Sequence, residues 1–372
     1  MELILKQYDI PLLRFSATND SSTPEIEVHW INEDQRHLLP LDMELSPEGI
    51  SRWMRRRTIP RNRAYVNRLL AKCGLNANRP MGILALCKGL SVDDSYWVVE
   101  DGFEGTFGKY NLFENRFSEV LALIAFTGYG SSNRSSLASS PEFTTNGMLP
   151  KCWRRISGKV TLYKGGTDGG YNTGAEPYCE YYAAQVAAAM GIDAIPYGLS
   201  QWKGRLCSTC ELFTDIDHAY MPIGNLVQRG GFDAVAAYYE KLGEPFQKAF
   251  RDMLVFDAVI CNTDRHYGNF GFMIDNKTNT IAAPAPLFDH GNSLFNQAGP
   301  EDYESPEAFQ QYIDTLVPCV YDDFFATAKR FMTDENREQL RKLLGFRFKR
   351  HYDVRFVRVD SARTRCGHFR KV

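Results

Sequence analysis

Asp264, Asn269 and Asp289 are the residues of this chain whose types and spacing are best suited to chemistry. The first two stand in Asn262-Thr263-Asp264-Arg265-His266-Tyr267-Gly268-Asn269, and Asp289-His290-Gly291 follows twenty residues after Asn269. Phosphoryl transfer asks little covalent work of a protein. It needs a carboxylate that orients the attacking hydroxyl, and oxygen ligands that hold Mg²⁺ against nucleotide phosphates. Asp264 is the candidate for the first task, Asn269 and Asp289 for the second. An Asp with an Asn five positions on also occurs by chance in solvated loops, so the assignment depends on what else the chain carries.

The same chemistry calls for a cation on the α- and β-phosphates and a carboxylate that holds it. Val160-Thr161-Leu162-Tyr163-Lys164 reads as a strand ending in Lys164, and the helix after it carries Glu180. Ala183, Ala184 and Ala187, about one turn along, leave a small face that can pack close to a sheet. Lys164 and Glu180 are expected to pair. The bland alternative is a surface pair on unrelated elements, worth about 0–1 kcal/mol. Upstream, Thr144-Thr145-Asn146-Gly147-Met148-Leu149-Pro150-Lys151 leads into a strand, and its backbone N–H groups could cover phosphates. Gly165-Gly166-Thr167-Asp168-Gly169-Gly170 is richer in glycine but follows the Lys164 strand, where only a connection is needed. His266 reads as a catalytic-loop residue or a brace of that loop. Arg265 is open between an acidic partner and phosphate.

The elements that must position these residues are legible in outline. The 372 residues suggest two or three domains, and 44% hydrophobic with 24% charged residues is the balance of a globular chain with a sizeable core. Strands are expected at 3–5 and 26–30, and a helix from Ser46-Pro47-Glu48, with Ser46 as cap and Pro47 in the first helical position. Further helices are expected over 61–72, ending at Gly74, and over 114–126, ending near Gly128. Residues 131–141 are Ser-rich and read as a linker. Strands at 152–156 and 160–163, a helix over 176–190 closed by Gly191, and a strand at 206–213 follow. An apolar helix over 246–260 runs into the Asp264 loop. A hairpin joins 270–274 to 281–283, and the chain beyond 305 is mostly helical. A net charge of −2 gives no overall attraction to nucleic acid or an anionic membrane. No apolar run reaches the length of a membrane span, and the N-terminus lacks a secretory pattern. Nine Cys, an odd number, favour reduced thiols in a cytoplasmic setting.

Asp264-Arg265-His266-x-x-Asn269 resembles the D-R-H-x-x-N motif of phosphatidylinositol 3- and 4-kinases and the N-x-D-x-H-x-x-N-F motif of HipA-type serine/threonine kinases. Asn262 before the Asp, Phe270 after the Asn, and Pro286-Leu287-Phe288-Asp289 favour the HipA-like pattern. So do Glu180-Tyr181-Tyr182 with Met190-Gly191-Ile192, and Asn146-Gly147-x-x-Pro150-Lys151 as phosphate loop. Cys207 to Phe213 falls where an adenine-contacting hinge would be. The resemblance covers roughly residues 140–345. It departs from the common kinase order in having Asp-His-Gly for Asp-Phe-Gly, and residues 1–130 are unlike the usual HipA N-terminal subdomain.

The resemblance implies an α+β, two-lobed kinase-like fold: a small mixed-sheet lobe over 142–213, a larger, mostly helical lobe over 214–372, and an accessory α+β domain over 1–130. It implies ATP and Mg²⁺ as cofactors and a protein Ser or Thr as acceptor. Lys164, Glu180, Asn146, Gly147, Lys151, Glu211 and Phe213 would bind ATP, with Asp264 and His266 catalytic and Asn269 and Asp289 on the metal. Thr144 and Thr145 are candidate autophosphorylation sites, and an antitoxin or regulatory protein is a partner in a bacterial toxin or effector setting. A lipid kinase is the rival activity, yet residues 292–304 contain no Lys or Arg to meet anionic lipid. A non-catalytic nucleotide-binding module is the other rival, and it has no need of Lys164, Asp264, Asn269 and Asp289 together.

Other features take plainer readings. Cys207-x-x-Cys210 has metal-like spacing but no matching second pair, so it reads as two small residues on a buried strand. Arg52, Arg55, Arg56, Arg57, Arg61, Arg63 and Arg68 read as a solvated helix face, and the basic tail from Arg347 to Lys371 likewise. Trp97 reads as a core aromatic.

Overall fold

Leu3 and Leu5 alternate with more exposed neighbours and turn inward from one strand, as a period of two requires. The computed structural model in which this is seen describes residues 1–18, 24–130, 140–168 and 174–351. Residues 131–139 of the Ser-rich stretch, Gly169 and Gly170, and the basic tail beyond residue 351 lie outside the described residues.

In chain order the first elements are β1 (Glu2–Gln7), β2 (Ile10–Ala17), β3 (Ile26–Ile31), α1 (Pro47–Arg56), α2 (Val66–Lys72), α3 (Pro80–Cys87) and β4 (Tyr96–Glu100). Next come α4 (Phe107–Tyr110), α5 (Glu119–Thr127), β5 (Lys151–Ile156), β6 (Lys159–Gly165), α6 (Glu176–Met190), β7 (Gly198–Trp202), β8 (Arg205–Glu211) and β9 (His218–Pro222). The last are α7 (Ile223–Leu226), α8 (Gly231–Leu242), α9 (Glu244–Ile260), β10 (Gly271–Asp275), β11 (Thr280–Pro284), α10 (Pro306–Asp314), α11 (Phe324–Phe331) and α12 (Asp334–Arg341). Ser46 caps α1 by accepting from Gly49 N, and left-handed Gly128 and Gly191 close α5 and α6 as read from sequence.

The elements sort into two compact units. One is Met1–Lys164 with Glu211–Met221 and Met273–Ala282; the other is Gly165–Cys210 with Pro222–Phe272 and everything from Ala283 on. The first unit thus takes in residues on both sides of the expected linker. The reason is a shared core: Trp97 of β4 is fully buried in one apolar cluster with Val99, Phe107, Trp153 and Val160. The sheet β3-β2-β1-β4 lies in this unit, and all its strand pairs are antiparallel.

β5–β6 in the first unit and β7–β8 in the second are antiparallel hairpins. Their turns, Ser157-Gly158 and Lys203-Gly204, have positive φ at both positions (50° and 85°, 52° and 76°). Such two-residue turns follow the right-handed strand twist and can join only antiparallel neighbours.

The Arg-rich stretch is corrected in part. Arg57 and Arg63 are buried. Arg57 forms a forked pair with Asp94 at 2.7 and 2.8 Å. Arg63 donates to the Glu142 carboxylate at 2.5 Å, to Glu142 O at 2.5 Å and to Lys151 O at 2.9 Å. Glu142 in turn accepts from Trp153 N at 2.8 Å, and Ala64 N donates to Met148 O at 2.9 Å. The segment 142–151 is therefore gripped at both ends from residues 63 and 64. Removing one partner of a buried pair strands the other charge. Arg63→Ala is expected to lower unfolding free energy by about 3–5 kcal/mol, whereas Lys159→Ala, which breaks an exposed pair with Glu211, should cost under about 1 kcal/mol. Urea denaturation of both variants checks the contrast.

Candidate active site

In the second unit α9 ends in Leu254-Val255-Phe256-Asp257-Ala258-Val259-Ile260, every residue of which is buried. Cys261, left-handed at φ 49°, stops the helix, and Asn262 N donates to Asp257 O at 3.1 Å. Asp257 is the one charge in this apolar turn, and its carboxylate meets Arg265. Arg265 Nε donates to Oδ2 at 2.9 Å and Nη2 to Oδ1 at 3.0 Å, with both side chains fully buried. Burial pulls the Arg265 pKa down, but Asp257 outweighs it and leaves the guanidinium above its ordinary value.

Arg265 has donors to spare and uses them on the site. Nη1 donates to Asn269 O at 3.2 Å and also to Phe288 O, and Nη2 contacts His290 Nδ1 at 2.9 Å. Because a guanidinium only donates, Nδ1 must accept, and His290 is the neutral Nε2–H tautomer in this network. One side chain thus ties the segment bearing Asn269 to the segment bearing Asp289. Of the two readings open for Arg265, the structure selects the acidic partner.

Asp264 is half-buried and its backbone is fixed on both sides. Asn262 Oδ1 accepts from Asp264 N at 3.2 Å, and Asp264 O accepts from His266 N at 2.9 Å and Asn269 Nδ2 at 3.1 Å. The last bond orients the Asn269 amide, which is mostly buried. His266 is exposed and braces the loop, its Nδ1 accepting from Gly268 N at 3.0 Å. A Cβ at Gly268 would lie 2.8 Å from the His266 ring, so a larger residue there would displace that ring.

Asp289 sits at φ 57°, an unfavourable backbone for a residue with a side chain. Its N–H donates to Tyr197 Oη at 3.1 Å. Burial, and then the nearby Glu180, push the Tyr197 hydroxyl well above its ordinary pKa, so it stays neutral. The next N–H, of His290, donates to Glu180 Oε2 at 2.7 Å. A Cβ at Gly291 would come 3.3 Å from Glu176 Cβ and 3.5 Å from Glu180 Oε1, so the Asp-His-Gly segment lies close against α6. Glu180, fully buried, therefore clasps the segment that presents Asp289.

The first unit holds the other nominated residues. Lys151 and Lys164 face each other across the β5–β6 ladder, both buried to 6% exposure. Lys151 Nζ donates to Asn146 O at 2.8 Å. Gly147 has φ 89°, a backbone that strains any residue with a side chain, and a Cβ there would stand 2.2 Å from Lys151 Nζ and displace it. Thr144 is buried and donates to Leu90 O at 2.9 Å. Thr145 Oγ1 donates to Pro141 O at 2.7 Å and accepts from Trp153 Nε1 at 3.0 Å. Either hydroxyl would have to leave these partners to accept phosphate. Glu211 is exposed and pairs with Lys159 at 2.7 Å, and Phe213 packs edge-on to Tyr220.

Among the described residues no three His, Cys, Asp or Glu side chains cluster to hold a metal. That is compatible with Mg²⁺ held by one Asn and one Asp, with phosphate oxygens and water completing its shell. Asn269, with its amide nitrogen engaged by Asp264 O, offers an oriented oxygen, and the half-buried Asp289 offers a carboxylate, so the donor types fit. Sequence reasoning missed Asp257, Tyr197 and Asn292. Asp257 alone left a signal, a carboxylate inside an apolar helical run that demands a buried cation.

This α+β chain with antiparallel sheets is structurally similar to HipA kinase over its full length. HipA in the Shewanella oneidensis MR-1 complex of HipA, HipB and operator DNA matches it with a TM-score of 0.51 at 12% identity, over 99% of this chain and 95% of that one. That span takes in residues 1–130, which sequence had set apart from the HipA pattern. The serine/threonine-protein kinase CtkA of Helicobacter pylori strain J99 is 27% identical over 135 residues, 32% of this chain and 41% of CtkA. The chain thus matches only about two fifths of that relative's length. A crystal structure of the Helicobacter pylori proinflammatory kinase CtkA aligns with 59% of this chain and 90% of its own, at 16% identity and a TM-score of 0.47. No protein-family model matches. The chain is distantly similar, in sequence and in structure, to the HipA- and CtkA-like serine/threonine kinases. Among the described residues no helix is long and apolar enough to cross a membrane.

Since Asp257 is the carboxylate partner of a buried guanidinium, Asp257→Ala is expected to cost about 3–5 kcal/mol of stability. A chemical melt checks the figure.

Proposed function

We propose that the chain is an ATP- and Mg²⁺-dependent kinase that phosphorylates protein Ser or Thr hydroxyls. The observation that carries this is the Arg265 guanidinium, which binds the Asn269 carbonyl and the Asp289 segment at once and so supports a base and two metal ligands on one frame. Asp264 accepts a hydrogen bond from the acceptor hydroxyl and lines its oxygen up with the γ-phosphorus. As that oxygen bonds to phosphorus, the bond to the β–γ bridging oxygen breaks, ADP departs, and the hydroxyl proton passes to Asp264. Asn269 and Asp289 would hold the magnesium, which when bound neutralises phosphate charge. Lys164 and Lys151, with the Asn146-Gly147 turn, would bind the phosphates. Glu180 as partner of Lys164, Glu211 and Phe213 as adenine contacts, and autophosphorylation at Thr144 or Thr145 rest on the resemblance. So do the protein acceptor and a regulatory partner of the antitoxin kind.

Asp264→Asn is expected to keep Mg²⁺–ATP affinity within about threefold and to lower turnover by about a hundredfold or more. Incubation with γ-labelled ATP and mass spectrometry of the products measures this, and unchanged turnover would remove Asp264 from the mechanism. Asp289→Ala should lose the Mg²⁺-dependent part of ATP binding in calorimetry; normal Mg²⁺–ATP binding would mean that another residue holds the metal.

A further inference from the structure

The carboxylate of Asp264 is held by a partner outside its own loop. Asn292 Nδ2 donates to Asp264 Oδ2 at 3.0 Å. The Asn292 amide cannot turn over without loss, because Asn296 Nδ2 donates to Asn292 Oδ1 at 3.0 Å. The oxygen of that amide faces Asn296, and its NH₂ faces Asp264. The backbone around the pair is fixed too. Asn292 O accepts from Thr263 N at 3.0 Å and from Thr263 Oγ1 at 3.3 Å, and Leu294 N donates to Ile260 O at 2.7 Å. Leu294 and Phe295 are left-handed at φ 50° and 62°, conformations that side-chain-bearing residues adopt only when their surroundings enforce them. That turn brings Asn296 back beneath Asn292. Phe295 is packed edge-on against Phe309, and Asn296 is buried to 7% exposure.

Among the described residues the other Asp264 carboxylate oxygen, Oδ1, takes no protein hydrogen bond. We infer that Asn292, backed by Asn296, is a positioning residue for phosphoryl transfer: it holds Asp264 by Oδ2 and turns Oδ1 to the acceptor hydroxyl. The inference rests on the kinase reading above. A neutral amide suits the task, because it orients the carboxylate without the strong loss of basicity that a cation at the same place would bring.

The test uses the full chain with saturating Mg²⁺, γ-labelled ATP, and dephosphorylated casein or water alone as acceptor. It compares wild type with Asn292→Ala, Asn292→Asp and Asn296→Ala, each checked for a cooperative thermal melt. Asn292→Asp keeps the shape, removes the donor and sets a like charge beside Asp264, so it breaks the hydrogen bond without opening a cavity. Both Asn292 variants are expected to lower kcat about ten- to hundredfold with KM for ATP within about threefold, and Asn296→Ala to lower kcat by a smaller factor. A folded Asn292→Asp with the wild-type kcat overturns the positioning role alone. If Asn292→Ala does not fold, the other two variants decide. A wild-type chain that transfers phosphate to neither protein nor water overturns the kinase reading and this inference with it.

Discussion

The buried pair of Asp257 and Arg265 is the interaction on which the second unit's site depends. Neither charge would survive alone in that interior, since each has left water. Together they form two parallel hydrogen bonds, and the guanidinium still has donors to spare. Those go to the backbone of Asn269 and Phe288 and to His290. A lysine could not do this, because a single ammonium lacks the planar fork and the reach to several acceptors. The charge is kept by its partner, and the remaining donors set the geometry of two loops.

Around this pair the backbone is held in conformations it would not choose. Cys261, Asp289, Leu294 and Phe295 all have positive φ. Three are held by a backbone bond, Cys261 to the end of α9, Asp289 to Tyr197 and Leu294 to Ile260, and Phe295 is packed against Phe309. Strain of this kind persists where surrounding packing over-determines it, and it collects at sites that must present particular atoms. Here it collects next to Asp264 and at Asp289, the two carboxylates assigned to chemistry.

The first unit works by a related device. Arg63 and Glu142 form a second buried pair, and it secures the segment that ends in Lys151. The N-terminal 130 residues are therefore no detached accessory to that segment, because their core and their Arg63 hold it in place. The Arg-rich stretch had suggested a solvated face, and a count of charges could not separate Arg57 and Arg63 from their exposed neighbours. Burial is a property of the packed chain, and no period in the sequence marked those two.

Sequence by itself determined what depends on short range. It set the helix of α6 and its Gly191 stop, the apolar α9, the hairpin strands β5 and β6, and the residue types at 264, 269 and 289 that make phosphoryl transfer the natural reading. These follow from periodicity, capping and side-chain chemistry, which act over a few residues. Only the tertiary structure decided which partners those residues have. Arg265 found Asp257 eight positions back, Asp264 found Asn292 twenty-eight positions on, and Glu142 found Arg63 seventy-nine positions away. Polar side chains in an interior must find partners wherever the packing of distant elements places them, and that placement is a sum over the whole core that local residue order does not contain.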